Sequence, residues 1–167
     1  MKISARSFLL VALFALAAPA FAEEAKGSVP TDDEILTELK NLQKEIGPAK
    51  RDWVKEELGL TPEEDAVFWP VYDEHQKALE ALNKRRVDNI LAYSRVWNAG
   101  HIEEVPADRL VKEAIAIERA ESDLLQSTYD KLHGKMTPVK LVRYLQIESK
   151  LRAFVRIKQA AQVPLAE

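Results

Sequence analysis

From Phe68 onwards the chain sets Phe68, Tyr72, His75, Leu79, Leu82, Arg86, Asn89, Tyr93 and Trp97 at steps of four and three. That heptad-like seam predicts one long helix from 62 to about 98. A second seam, Leu110, Ala114, Ile117, Glu121, Leu124, Thr128 and Leu132, predicts a helix over 107–133. Folding the two antiparallel about a turn near Gly100 sets Trp97 against Leu110, Tyr93 against Ala114 and Leu82 against Leu124. The same register places Arg86 opposite Glu121, the charged residues that interrupt two apolar stripes. A partly buried Arg86–Glu121 pair is therefore expected, fixing the register of the hairpin more than its stability.

Three more segments carry the helical period. Ile35, Leu39, Leu42 and Ile46 stripe a helix at 32–46, opened by a Thr31–Glu34 capping box. A short helix at 49–58 buries Trp53, Val54 and Leu58, and a last one runs from 138 to about 160. Gly47, Gly59, Gly100 and Gly134 each follow an apolar-periodic segment, where a left-handed cap ends a helix. Pro62, Pro106 and Pro138 mark starts. Pro70, inside the long helix, removes one backbone bond and should bend it near Ala66. No alternating strand pattern intervenes, so the fold class is all-α: a bent long-helix hairpin with shorter flanking helices, four to five in all.

Two of these starts are written alike. "LTPEED" places Leu60 before Thr61, Pro62 and Glu64, and "MTPVK" places Met136 before Thr137, Pro138 and Lys140. Thr61 and Glu64 make a capping box, whereas in the second start Met136 can staple onto Leu141. Phe68 and Tyr144 each lie seven residues past their Thr.

Composition then sets the compartment. "MKISARS", the apolar run "FLLVALFALAA" and "PAFA" form a three-part secretory signal, with cleavage expected after Ala22. The expected division is 1–22 signal peptide, 23–30 flexible leader, 31–162 one domain and 163–167 a tail. Loss of Lys2 and Arg6 leaves 22 Lys and Arg against 27 Asp and Glu, a net charge of −5. A mildly acidic secreted chain is no candidate for nucleic-acid binding, which rests on cations meeting phosphates. Nor does any span remain to cross a membrane once the signal is gone. With no cysteine, disulfides, thiol nucleophiles and thiolate metal sites are excluded.

Catalytic patterns are absent: the glycines are too scattered for a phosphate loop, and neither G-x-S-x-G nor H-E-x-x-H occurs. No enzyme activity and no cofactor are expected. The antiparallel hairpin brings His75 near Leu132, so His75 and His133 are the candidate metal ligands. A zinc or copper site needs three or four converging ligands. His75 on its aromatic seam can also sense pH. His101, with Glu103 and Glu104, reads as a solvated hairpin tip.

The last helix has surplus apolar and basic character. Leu141, Tyr144, Leu145, Leu151 and Val155 share a face, Ile147 and Phe154 widen it, and Val142 and Ile157 lie well outside. Glu148, the one acid among seven cations of residues 135–158, is spaced to pair with Arg152. So wide an apolar arc implies a second surface. Arg143, Lys150, Phe154 and Ile157 are its candidate members, meeting either a second subunit or protein clients. In a homodimer the basic helix would complement the acidic start of the long helix, Glu63, Glu64, Asp65, Asp73 and Glu74.

The two Thr-Pro starts resemble the paired Leu-Thr-x-x-Gln motifs of the Spy/CpxP family of periplasmic helical proteins. The resemblance spans roughly 50 to 160, with Glu64 and Lys140 where that motif has Gln. It implies a cradle-shaped helical dimer in the periplasm of a Gram-negative bacterium, acting on unfolded or envelope proteins without ATP. It equally implies envelope-stress or metal sensing, and a structural envelope role is a further reading.

Overall fold

The computed structural model describes residues 49–100 and 102–160, with Asp33, Thr37, Asn41 and Val163 outside those runs. Asp33, Thr37 and Asn41 are helical and exposed. The apolar stripe expected at 32–46, its Thr31–Glu34 box and the secretory signal lie outside the described residues. Those residues form four α-helices and no strand: α1 at 49–58, α2 at Pro62–Asn98, α3 at Glu104–Leu132 and α4 at Pro138–Ala160. The protein is all-α.

Each start follows from local chemistry. Thr61 Oγ1 accepts from the Glu64 amide and the Glu64 carboxylate accepts from the Thr61 amide, closing the expected capping box ahead of Pro62. Thr137 Oγ1 accepts from the Lys140 amide, and Met136 and Leu141 share the core as the staple requires. α3 begins at Glu104, three residues earlier than the seam suggests. Pro106 then occupies the third helical position, where its missing N–H is one the helix could not bond in any case. Pro70 does not interrupt α2. Both Pro70 and Ala66 are exposed, so water can reach the carbonyl that the proline leaves unbonded.

α2 and α3 form the antiparallel hairpin. Arg86 Nη1 donates to Glu121 Oε1 at 2.7 Å, as the register requires. The other ties depart from the expected register: His75 meets Thr128 rather than Leu132, Lys131 meets Glu74, and Arg85 meets Glu113. Asn89, not Trp97, reaches Leu110 and donates to its carbonyl, so the expected Trp97–Leu110 and Tyr93–Ala114 pairing does not hold. Leu82 and Ile117 are buried, but Ala114 is exposed, so the α3 stripe turns outward there.

The main core gathers at the end of the hairpin away from Gly100. Val54 and Leu58 of α1, Phe68 and Tyr72 of α2, Leu132, Met136, and Leu141, Tyr144 and Ile147 of α4 form one buried cluster. Each fully buried Leu or Phe contributes about 1.5–3 kcal/mol of transfer free energy.

In that core the two like-written starts touch at corresponding positions. Lys140 Nζ bonds the Glu64 carboxylate, and the Phe68 and Tyr144 rings meet edge to face at 5.1 Å. Further along both helices Gln76 bonds Glu148, at an offset one turn shorter. α4 therefore runs parallel to α2, and Arg156 near its end reaches Glu118 and Glu121 of α3.

Candidate functional site

Two places on this scaffold hold chemistry. The first is a polar cluster inside the core, to which every helix contributes. Lys50 sits one turn before Val54 and two before Leu58, so its ammonium follows the same stripe inwards. Its Nζ donates to Glu148 Oε2 and to Gln76 Oε1, both at 2.8 Å, while Gln76 Nε2 donates to Glu148 Oε1 at 3.0 Å. Glu148 is 3 % exposed, and this pairing is what a buried carboxylate requires. The expected Glu148–Arg152 pair does not form. Glu148 points into the core to Lys50, and Arg152 turns to Glu121, Nη1 to Oε2 at 3.9 Å. Burial rewards a fully desolvated partner over a helical neighbour at the rim.

His75, equally buried, lies against the same carboxylate. Its Nδ1 is 2.7 Å from Thr128 Oγ1 and its Nε2 is 3.8 Å from Glu148 Oε2. Burial lowers the His75 pKa; the Glu148 carboxylate opposes that shift, and Lys50 and Arg152 add to it. The Tyr144 hydroxyl is buried nearby without a partner at hydrogen-bonding geometry. Burial first, and then Glu148, hold its pKa well above the ordinary tyrosine value. The same causes push Tyr72 up to about 12, against the pull of Arg51.

His75 and His133 do not come together as metal ligands. His133 is exposed and stacks on Tyr129 at 5.1 Å, while both His75 nitrogens already face partners in the core. Among the described residues no three His, Cys, Asp or Glu side chains converge to hold a metal ion. His101 lies outside the described residues. Sequence reasoning missed Lys50 and Gln76, and the signal for Lys50 was its place on the Val54–Leu58 stripe.

The second place is the outer face of α4. Val139, Val142 and Ile157 are 68 %, 54 % and 57 % exposed, and Arg143, Gln146, Ser149, Lys150 and Ala153 share their side of the helix. No acid lies on this face. Phe154, expected here, is half-buried and engaged in a contact of its own. Arg143 is exposed, yet its guanidinium donates to the Glu57 carbonyl at 2.7 Å. Together with Lys140, which donates to the Gly59 carbonyl at 2.9 Å, it satisfies the end of α1. Lys150 and Ile157 stand outward as expected.

Most of the basic surplus of α4 is thus engaged within the chain. Of the acids expected to complement it across a dimer, Glu64 pairs with Lys140, Asp73 with Arg51 and Glu74 with Lys131. Asp65 accepts from the Trp69 indole, and Glu63 has no cationic partner among the described residues. Charge complementarity across a homodimer would therefore rest on few of these groups. No helix of the described residues is long and apolar enough to cross a membrane. No family model, curated protein or solved structure matches the chain.

Proposed function

We propose that this is a periplasmic, chaperone-like binding protein that holds unfolded or envelope proteins without ATP, with the outer face of α4 as its client surface. One observation carries the reading: Val139, Val142 and Ile157 stay more than half exposed on one side of an otherwise well-packed helix. Val139 and Val142 adjoin at one end of this face and Ile157 lies about four turns further along it, so a bound chain segment lying along α4 could meet all three. Arg143 and Lys150 on the same face, with no acid, suit acidic or neutral stretches of a client.

A second copy of the chain is the competing occupant. Pairing two such faces would bring four cations together with no acid between them, and like charges so placed repel. That favours a client over a dimer. The secretory signal and the likeness of the Thr-Pro starts to the Spy/CpxP motifs support the compartment and the ATP-free mode. The metal-sensor reading has no gathered ligand set among the described residues to support it.

The test is light scattering of a denatured, aggregating client with the chain 23–167 at near-equimolar ratio and no nucleotide. Suppression that weakens in Val142→Ser/Ile157→Ser, with helicity retained, is the expected result. No suppression at several-fold excess refutes the proposal. Loss of a dimer in the variant, with suppression intact, assigns the face to self-association.

A further inference from the structure

The buried cluster around Glu148 contains one cation and one anion, Lys50 and Glu148, and a neutral imidazole against them. A second proton on His75 would find an acceptor at either nitrogen. Glu148 Oε2 faces Nε2, and Thr128 Oγ1 faces Nδ1 with its own hydrogen free to turn to the Leu124 carbonyl, 2.8 Å away. Geometry thus permits the imidazolium, but charge opposes it. The cluster would go from neutral to +1, with Arg152 of α4 close enough to add to the opposition.

The groups that face the ring come from every packed helix. They are Lys50 of α1, Thr128 of α3, and Tyr144, Glu148 and Arg152 of α4, with Gln76 of α2 bonded to the same Lys50 and Glu148. Only Lys50 belongs to an element that can leave without breaking the α2–α3–α4 framework. α1 is ten residues long, tied at the surface by ionic and aromatic contacts and in the core by two apolar side chains. Arg51 pairs with exposed Asp73 and lies 4.3 Å over the Trp69 ring, and Arg143 and Lys140 hold the end of the helix from outside. Val54 and Leu58 are its buried apolar anchors.

We propose that α1 is a proton-released clasp: uptake of one proton by His75 makes Lys50 the surplus cation in the core, and α1 swings away with it. The lowered pKa of the buried His75 is consistent with this. A clasped state that binds fewer protons than the open one loses ground as pH falls through the range where the open state takes up its proton at His75, which there faces Glu148 without Lys50. One proton changes the open-to-closed ratio by at most about tenfold per pH unit. Release bares the faces of Phe68, Tyr72 and Tyr144 that Val54 and Leu58 cover. The inference does not rest on the client reading.

Amide hydrogen exchange of the chain 23–167 between pH 7.5 and pH 5, corrected for the intrinsic pH dependence, tests it. Protection of residues 50–58 should fall by up to about tenfold per pH unit across this range while α2 and α3 stay protected. His75→Gln should abolish that fall. Lys50→Met should reverse its sign, because Glu148, now alone, gains a partner when His75 charges. Uniform loss of protection across all helices overturns the proposal. So does an unchanged profile in His75→Gln, or a Lys50→Met protein that still opens with acid. Should His75→Gln fail to fold, the Lys50→Met profile decides alone.

Discussion

Glu121 is the place to test whether the hairpin register rests on a buried charge. Its side chain is 1 % exposed, and three arginines converge on it: Arg86 at 2.7 Å, Arg152 at 3.9 Å and Arg156 in direct contact. Glu121→Leu keeps the volume roughly and strips all three of their shared anion. Removing one partner of a fully buried pair costs about 3–5 kcal/mol. Here Arg152 and Arg156 are 26 % and 38 % exposed and can turn to Glu118 or water, so about 2–4 kcal/mol is expected. For a chain of 167 residues that is a fall in Tm of about 5–15 °C.

Arg86→Met should cost less, about 1–2 kcal/mol, because two arginines still face Glu121. The double variant should fall short of the sum by about 1 kcal/mol or more, the signature of coupled residues. Urea and thermal melts followed by circular dichroism at 222 nm measure all three. A Glu121→Leu protein within about 0.5 kcal/mol of the parent would refute the reasoning. So would Arg86→Met costing more than Glu121→Leu, or strictly additive losses.

Further predictions concern single groups. Burial pushes the Glu121 carboxyl up, but its bonds from Arg86 and Arg156 outweigh that and the net shift is downward. Its contribution is then complete above the unfolded value of about 4.3 and is lost as pH falls through the folded one, so the gap between parent and Glu121→Leu should close in acid melts. Tyr144→Phe should match or slightly exceed the parent in stability, because the hydroxyl removed has no partner; a loss above about 1.5 kcal/mol would mean that it is bonded to Glu148. Gly59 has φ +50 with nothing near its missing Cβ, so Gly59→Ala should cost about 1–2 kcal/mol from backbone strain alone, and Gly59→Asn less. Thr61→Ala should cost about 1 kcal/mol and Thr137→Ala less, since only the first start closes a full capping box.

What could be read ahead of the structure was whatever sequence distance makes local. The α2–α3 hairpin and its Arg86–Glu121 pair were legible because two long seams joined by a short turn must face each other. The pairing nearer Gly100 was not, because α3 starts at Glu104 and Asn89 rather than Trp97 reaches Leu110. The caps at Thr61 and Thr137, local in sequence, were legible too. The Lys50–Glu148 pair was not. It joins residues 98 apart, and a local rule offered Glu148 a nearer partner in Arg152. Phe154 and Ala114 show the other limit: helical period places a residue on an arc, but which edge of the arc is covered depends on the neighbouring helix. The likeness between the two Thr-Pro starts was visible in the sequence, whereas their contact through Lys140 and Glu64 was not.

The crossing of that core by distant residues has a consequence for how the chain is made. Lys50–Glu148, Arg143–Glu57 and Lys140–Glu64 join positions 98, 86 and 76 apart. A chain emerging N-terminus first delivers α1 long before α4, so Val54 and Leu58 remain without most of their partners until nearly the last residue is out. The α2–α3 hairpin, closed by a short turn, can form meanwhile. Emergence of α4 is therefore the committing event of folding, and a chain stopped before residue 138 is left as a hairpin with its aromatic end uncovered.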